Sequence, residues 1–599
     1  MIFSIHYNTV WGENLRLVSG DKSYRMKWNE GNVWTANIRT PLKTYHYELY
    51  HENDFRRREN GQHRLSGKGP VRDKWIDWPV VRGAGTAVPV FSLRSIDDFG
   101  IGDFRDLHAL VDWAVLTGQK IIQLLPVNDT TRHGGWGDSY PYSPISVFAL
   151  HPMYIRLQDI GVEEDEEFKR EQAALNALPE IDYPRVFETK MKYIRRAWEK
   201  KGEEDARRAE FKKFSRDNDF WLKKYCSFCV MRDGVDESQS SFYRWVQFHL
   251  DRQLQQESSY ARSKGVYFKG DLPIGVARDG ADAYFLPEYF NLDKNTGVPP
   301  DFFSEDGQNW GFPSYNWDNM SHNGYLWWRK RLEKMSEYFS AYRIDHILGW
   351  FRIWEIPVEM KSGKAGHYNP ALPYSRKELK ERGLDADERL FIKDDRRKGY
   401  FHPMISPDFT GIDNGIRQRF EALHNDYFFR RNNEFWKKNA EKKMPALLGA
   451  SDMLACGEDL GLVADSVYEV MDQYGILSLE LPIMDKGRPW PRLSVCTTST
   501  HDFAPLRCSR GGDLSPRECS DIIKGVLSSQ SKLAILPLQD WLSMSGELRR
   551  KEAAEERINE PADANHHWRW RFHLNLENLL EAEALNSEIK TMLSQSGRI

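Results

Sequence analysis

The chain has 599 residues, 40% hydrophobic and 29% charged, with a formal net charge of -4, which implies at least two globular domains and excludes a disordered chain. The near balance of charge gives no electrostatic footing for nucleic acid or an acidic membrane surface. No run of about 18 apolar residues could span a bilayer, and the first residues lack the basic and apolar regions of a signal peptide, so a cytoplasmic protein is expected.

Residues 1–65 read as short strands. Segments 1–7, 33–38 and 45–50 alternate apolar and polar residues, and 15–18 is a short apolar run. Turn residues at 29–32 and at Asn60-Gly61 separate them, and Gly67–Pro70 breaks the pattern. A small all-β sandwich over 1–78 is expected. The basic run Arg56-Arg57-Arg58 within it reads as a solvated face.

From about residue 83 the regime changes. Apolar strand-like runs at 85–91, 121–126, 266–272, 341–344, 454–456 and 495–498 alternate with helical stretches such as 104–117. Strands separated by helices over some 500 residues predict a (β/α)8 TIM barrel over 79–599. Two charged stretches, 163–224 and 375–445, read as helical insertions with solvated faces. Of the six cysteines, Cys226 and Cys229 form a lone CxxC with no second pair or histidine cluster. They read as reduced thiols, and no metal or organic cofactor is expected.

A TIM barrel presents its reactive groups at the C-terminal ends of its strands. Three acids end such runs: Asp345 after Ala341-Tyr-Arg-Ile, Glu458 after Ala455-Cys-Gly, and Asp502 after Val495-Cys-Thr-Thr-Ser-Thr-His501. Singly, each is also what an acid capping the next helix looks like; three on separate strands point to a shared mouth. Paired carboxylates suit retaining glycosyl transfer, in which one is the nucleophile and the other, about 5–5.5 Å away, acts as acid and then base. Arg343 is placed to keep Asp345 ionised, whereas Glu458 needs a raised pKa to donate a proton. Aromatic residues make up 13% of the chain, 21 of them Trp, which suits stacking against sugar rings.

An ordered series of longer motifs accompanies these acids. It comprises Pro89-Val-Phe-Ser-Leu, Phe99-Gly-Ile-Gly-Asp-Phe104, Gln123-Leu-Leu-Pro-Val127, Tyr140-Pro-Tyr-Ser-Pro, Gly270-Asp-Leu-Pro-Ile-Gly-Val276, Gly297-Val-Pro-Pro-Asp-Phe-Phe-Ser304, Gly307-Gln-Asn-Trp-Gly311, Arg343-Ile-Asp-His346, Gly457-Glu-Asp-Leu-Gly461 and Thr500-His-Asp502. Over 84–599 the series resembles glycoside hydrolase family 77, the amylomaltases or disproportionating enzymes. The resemblance implies a retaining 4-α-glucanotransferase. It makes Asp345 the nucleophile, Glu458 the general acid/base and Asp502 the third carboxylate that holds and distorts the sugar. Arg343, His346 and His501 match polar groups around that sugar, and Gln308 and Trp310 a loop arching over the glucan. Tyr142, Asp279 and Asn559 match further substrate contacts.

Three segments, Thr500–Arg507, Glu556–Pro561 and Trp568–Arg571, look like the branch that contains the plant cytosolic disproportionating enzymes and their bacterial relatives. That implies maltose or a maltodextrin as donor, glycogen or a starch-like glucan as acceptor, and release of glucose from maltose. The sandwich resembles starch-binding modules of carbohydrate-binding module family 20 through Ile5–Gly12, Trp34–Ile38, Tyr45–Leu49 and Glu59–Arg64, with Arg58 standing where a sugar-stacking Trp often precedes the Glu. The carboxylates alone do not separate transfer from hydrolysis, because water and a sugar hydroxyl attack the same intermediate. An α-glucan hydrolase and a non-catalytic glycan-binding protein are therefore the alternatives, and oligomeric state stays open.

Overall fold

The computed structural model describes all residues except 66–68, 77, 301–303, 462, 485–487, 562 and 564–565. Residues 67–68 of the expected break and residues 301–303 of the Gly297–Ser304 motif lie outside the described residues.

At the N-terminus two sheets face each other. One has the order Lys27–Asn29, Val33–Asn37, Ile2–His6, Val71–Lys74; the other has Lys22–Arg25, Glu13–Ser19, Thr44–His51, Asp54–Arg58. Alternation decides what lies between them. Phe3 and Ile5 point inward while Ile2 and His6 are exposed, and the inward set meets Leu15, Leu17, Trp34, Tyr45 and Tyr47 in one core. A slip of one residue would turn each of these side chains to solvent, so the register is firmly set. The strands at 22–25, 54–58 and 71–74 went unread because each carries too few apolar residues to show alternation.

The barrel strands are β1 (Gly83–Val88), β2 (Ile121–Leu124), β3 (Tyr267–Leu272), β4 (Ala341–Ile344), β5 (Leu454–Gly457), β6 (Ser478–Glu480), β7 (Ser494–Cys496) and β8 (Leu533–Pro537). Their hydrogen-bonded order is β5-β4-β3-β2-β1-β8-β7-β6, parallel throughout. A parallel bridge between Cys456 and Leu477 joins β5 to the start of β6, and the ring closes as a (β/α)8 barrel. Strands β1 and β2 approach so closely that a Cβ on Gly85 would lie 2.1 Å from the Ile121 carbonyl oxygen, which only glycine avoids. Helix α1 (Asp106–Thr117) buries Leu107, Leu110, Val111 and Ala114, the i, i+3, i+4, i+7 face that packs on the barrel.

The insertion between β2 and β3 is helical, with helices Glu166–Asn176, Tyr183–Arg207, Ala209–Asp217 and Asp219–Asp233. Cys226 and Cys229 lie on the last of these, buried in the main core. The 375–445 insertion, expected as a charged helical region, also contains a small sheet. Helices Arg376–Glu381, Asn414–Asp426 and Asn433–Leu448 share it with a sheet of Tyr374–Ser375, Tyr400–Pro403 and Phe391–Lys393. This unit has its own core of Trp354, Tyr368, Leu379, Phe391, Phe420 and Trp436. Its strands are two to four residues long, too short to register against the charged helices around them. Among the described residues, no helix is long and apolar enough to cross a membrane and no cluster is arranged to hold a metal ion.

Candidate active site

Four strand ends and the loops after them deliver side chains to the same mouth. Asp345 directly follows β4, Glu458 directly follows β5, Asp502 lies in the loop after β7, and Asn559 lies in the loop after β8. The turns after β3, β4 and β5 are locked to one another by backbone bonds: Asp345 N–H donates to Leu272 O, Glu458 N–H to Ile344 O and Ile347 N–H to Glu458 O, each at 3.0 Å. Gly457 makes room for this contact, since a Cβ there would lie 2.7 Å from the Ile347 side chain. His346, between the two acids, adopts a left-handed backbone (φ 44°), a strained conformation for a residue with a Cβ. It turns its N–H onto Glu458 Oε2 at 2.9 Å.

Arg343, on β4, is the hub. Its Nη1 donates to both oxygens of Asp271 at 2.7 and 2.9 Å and to Asp345 Oδ1 at 3.2 Å, and its Nη2 lies 3.9 Å from Glu458 Oε2. Three carboxyls therefore share one buried guanidinium, and full ionisation would leave uncompensated negative charge in a poorly solvated place. Burial pushes Asp345 up to about 6 against the opposing pull of Arg343. Burial raises Glu458 further, to about 7, with the Asp345 charge adding to it. The exposures agree with that order: the Glu458 side chain is 9% exposed and Asp345 20%.

Asp502 is the opposite case. Burial acts to raise it, but His501 at 3.0 Å, Arg343 and the amide of Asn559 hold it down at about 2. Asn559 Nδ2 donates to Asp502 Oδ1 at 2.9 Å. A chain of contacts returns to the hub, with the Tyr142 hydroxyl 3.0 Å from His501 Nε2 and donating to Asp271 Oδ2 at 2.9 Å. The loop carrying His501 and Asp502 is held from below by the buried Asp540, which accepts from the Thr498 and Ser499 hydroxyls at 2.5 and 2.7 Å and from Leu506 N–H at 3.0 Å.

Gln308 lies on a separate small sheet and Trp310 directly follows its strand, against His346 at the mouth. Gln308–Asn309 pairs with Lys294–Val298, and Gly307 and Gly311 flank the segment with left-handed φ of 68° and 78°. The Trp310 ring meets His346 edge-on at 5.0 Å and Phe312 face-on at 5.7 Å, and its Nε1–H donates to Gln308 Oε1 at 3.0 Å. Asp279 stands apart from the carboxylate network: its side chain is 66% exposed and pairs with Arg132 at 3.0 Å. Burial, Arg352 and Arg343 hold His346 down at about 3, so it is neutral at working pH.

Two groups in the site were not read from the sequence. Asp271 sits inside β3, where it reads as an interruption in an apolar run; the Gly270-Asp-Leu-Pro motif was its only signal. The other is the pair Tyr140 and Trp568, which build an aromatic wall around the expected contact Tyr142: the Tyr140 and Tyr142 rings are 5.9 Å apart, and Trp568 lies 6.0 Å from each and 5.7 Å from His501. The charges of Asp345 and Asp502 both act on the Tyr140 hydroxyl, after burial the main causes of its raised pKa.

Similarity to known proteins follows the same lines. The glycoside hydrolase family 77 model, described as 4-alpha-glucanotransferase, matches residues 88–241 and 235–576. The rice (Oryza sativa subsp. japonica) 4-alpha-glucanotransferase DPE2 is 34% identical over 86% of this chain and 70% of its own length. A Chlamydia pneumoniae 4-alpha-glucanotransferase is 26% identical over 85% of this chain and 95% of its own length. Among solved structures, the amylomaltase from Streptococcus agalactiae in complex with acarbose superposes with TM-score 0.64 at 19% identity, over 86% of this chain and 99% of that one. The Corynebacterium glutamicum amylomaltase also reaches TM-score 0.64, at 18% identity, over 99% of this chain and 88% of that one. On the matched family model and the rice relative together, the chain belongs to glycoside hydrolase family 77, the 4-alpha-glucanotransferases.

Proposed function

We propose that the chain is a retaining 4-α-glucanotransferase working on maltose and maltodextrins with Asp345 as nucleophile and Glu458 as general acid/base. In the first half-reaction an Asp345 oxygen attacks the anomeric carbon of the donor. The bond to the leaving O4 breaks as Glu458 gives that oxygen its proton, and maltose as donor releases glucose. In the second half-reaction the 4-hydroxyl of an acceptor glucan attacks the same carbon, Glu458 takes the hydroxyl proton, and Asp345 departs. Two inversions retain the α configuration. Asp502, ionised and fixed by His501 and Asn559, is suited to accept hydrogen bonds from ring hydroxyls and hold the distorted sugar. Asp271 is suited to orient Arg343 rather than to touch the reacting atoms.

The observation that carries this reading is geometric: Asp345 and Glu458 close neighbouring strands on one buried guanidinium, with Arg343 Nη1 3.2 Å from Asp345 Oδ1 and Nη2 3.9 Å from Glu458 Oε2, and burial raises both carboxyls, Glu458 further. Pushing two pKa values apart is how such a pair acquires separate acid and base roles. Transfer over hydrolysis is supported by the family and by the Gln308–Trp310 segment, whose contact with His346 suits it to cover the sugar against water. Glycogen or a starch-like glucan is the acceptor we favour. The six free cysteines suit a reducing cytoplasm. For residues 1–78 we favour a glycan-holding role; Trp11 and Trp28, 93% and 50% exposed, offer free ring faces there, whereas Trp34 belongs to the core.

Incubation with maltotriose alone tests the reaction. Chains longer than the substrate, with no net gain in reducing ends, are expected. Shortening alone, with reducing ends rising in step, would overturn the transferase reading.

A further inference from the structure

The basic run Arg56-Arg57-Arg58, read from sequence as a solvated face, lines a cavity instead. About 410 Å³ in volume, the cavity lies between the sandwich strand Asp54–Arg58 and the barrel. On the barrel side it is lined by Leu454 at the start of β5, by Leu477 and Leu493 just before β6 and β7, and by Lys532 just before β8. That is the N-terminal face, opposite the carboxylates. Arg492 completes a lining with five positive residues; Arg58 pairs with Asp452, Lys532 donates to the Val81 carbonyl and Arg57 lies over the Trp75 ring, which leaves Arg56 and Arg492 to face a ligand.

The acids in the lining are already engaged. Asp452 pairs with Arg58 at 2.9 Å. Glu59 is fully buried and turned into the sandwich, accepting from Tyr47 N–H and Ile76 N–H and pairing with His63. Asp54 and Glu441 also act on the Tyr474 hydroxyl, but neither lines the cavity. Arg56 lies over the Tyr474 ring, 5.8 Å from its centroid, and among the described residues neither Arg56 nor Arg492 forms an ion pair with a carboxylate. Guanidinium groups present the planar fork that matches phosphate oxygens. The volume falls in the range of about 300–1,000 Å³ typical of small-molecule sites, far more than a lone phosphate ion would fill.

We propose that this cavity is a binding site for a small sugar phosphate, with its phosphate held by Arg56 and Arg492 and its apolar face against the exposed Leu493. The ligand touches both the sandwich and the barrel, so its binding couples the two domains and stabilises the assembled chain by mass action. The site is independent of the glucanotransferase reading, because none of its residues contacts the mouth carboxylates.

Calorimetric titration of the full-length chain tests it, using glucose 6-phosphate, inorganic phosphate and glucose as separate ligands. Saturable binding of glucose 6-phosphate with a dissociation constant of millimolar order or below is expected, tighter than for inorganic phosphate and absent for glucose at the same concentration. Loss of a charge-assisted contact weakens binding by about tenfold or more, so Arg492→Glu and Arg56→Glu should each show that loss while maltotriose turnover stays unchanged. Both side chains are at least partly exposed, and circular dichroism confirms that each variant is folded. The proposal is overturned if glucose 6-phosphate does not saturate, if glucose binds equally well, if inorganic phosphate binds as tightly, or if folded variants bind it as the unaltered chain does.

Discussion

Asp345 and Glu458 hang on the same arginine, and their charge states set the pH behaviour of the chain. In the proposed reaction, turnover needs Asp345 ionised and Glu458 protonated. Asp345 loses its proton as pH rises through about 6, and Glu458 loses its own near 7. The kcat/KM for maltotriose, which reports the free enzyme, should therefore form a narrow bell between those values. A profile that stays level above pH 7 would contradict the assignment of Glu458. Substituting Glu458→Gln should cost about 10²–10⁴-fold in transfer, the usual worth of general acid–base catalysis, and should remove the alkaline limb. Asp345 and Glu458 were legible because each directly follows a short apolar run, whereas Asp502, expected at a strand end, lies six residues past β7 in a polar loop and was marked by its Thr-His-Asp motif. Asp271 was not legible, because a buried acid within a strand has no local pattern and takes its meaning from Arg343, which comes 72 positions later in the chain. The expectation that Arg343 keeps Asp345 ionised has the right sign, but burial outweighs it.

At the scale of elements, Trp310 and Asp502 reach the mouth from loops rather than from strands. Trp310 is fixed by the left-handed turns at Gly307 and Gly311 and by pairing of its neighbours with Lys294–Val298. Trp310→Ala should open the covered sugar to water and raise the share of hydrolysis several-fold, read as glucose formed per chain transferred. Asp540 tests a different loop. Asp540→Ala would leave two buried hydroxyls and the Leu506 N–H without their acceptor, each at a cost of about 1–3 kcal/mol. With the support of Asp502 loosened, kcat should fall by about 10²-fold and melting temperature should drop; Asp540→Asn, which keeps an acceptor, should recover part of both. Six of the eight barrel strands were legible as apolar runs. Strand β6 has only three residues, two of them polar, and β8 is an unbroken buried run that periodicity cannot tell from a buried helix. The small sheet within 375–445 was hidden for the same reason of length.

The whole molecule couples a barrel to a sandwich through side chains that a reading of either part alone would not connect. The Trp78 Nε1–H donates to Ser340 O at 2.9 Å just before β4, and Arg58 reaches Asp452 at 2.9 Å just before β5. These contacts tie the sandwich to the N-terminal ends of the strands that bear Asp345 and Glu458. The alternation within 1–50 made the sandwich legible, and the repeated strand–helix pattern made the barrel legible. The junction was not, because Arg58 and Asp452 lie hundreds of residues apart. If the exposed ring of Trp11 holds glucan, Trp11→Ala should weaken glycogen affinity by about 3–10-fold, the worth of one aromatic contact, while leaving kcat/KM for maltotriose unchanged. The central claim, covalent transfer through Asp345, is met most directly by trapping. The Glu458→Gln variant is incubated with α-glucosyl fluoride, whose leaving group needs no acid, then acid-quenched, digested and analysed by mass spectrometry. One added glucosyl unit on the peptide containing Asp345 is the predicted result; a folded variant that consumes the fluoride without labelling that peptide, or that labels another carboxylate, would contradict it.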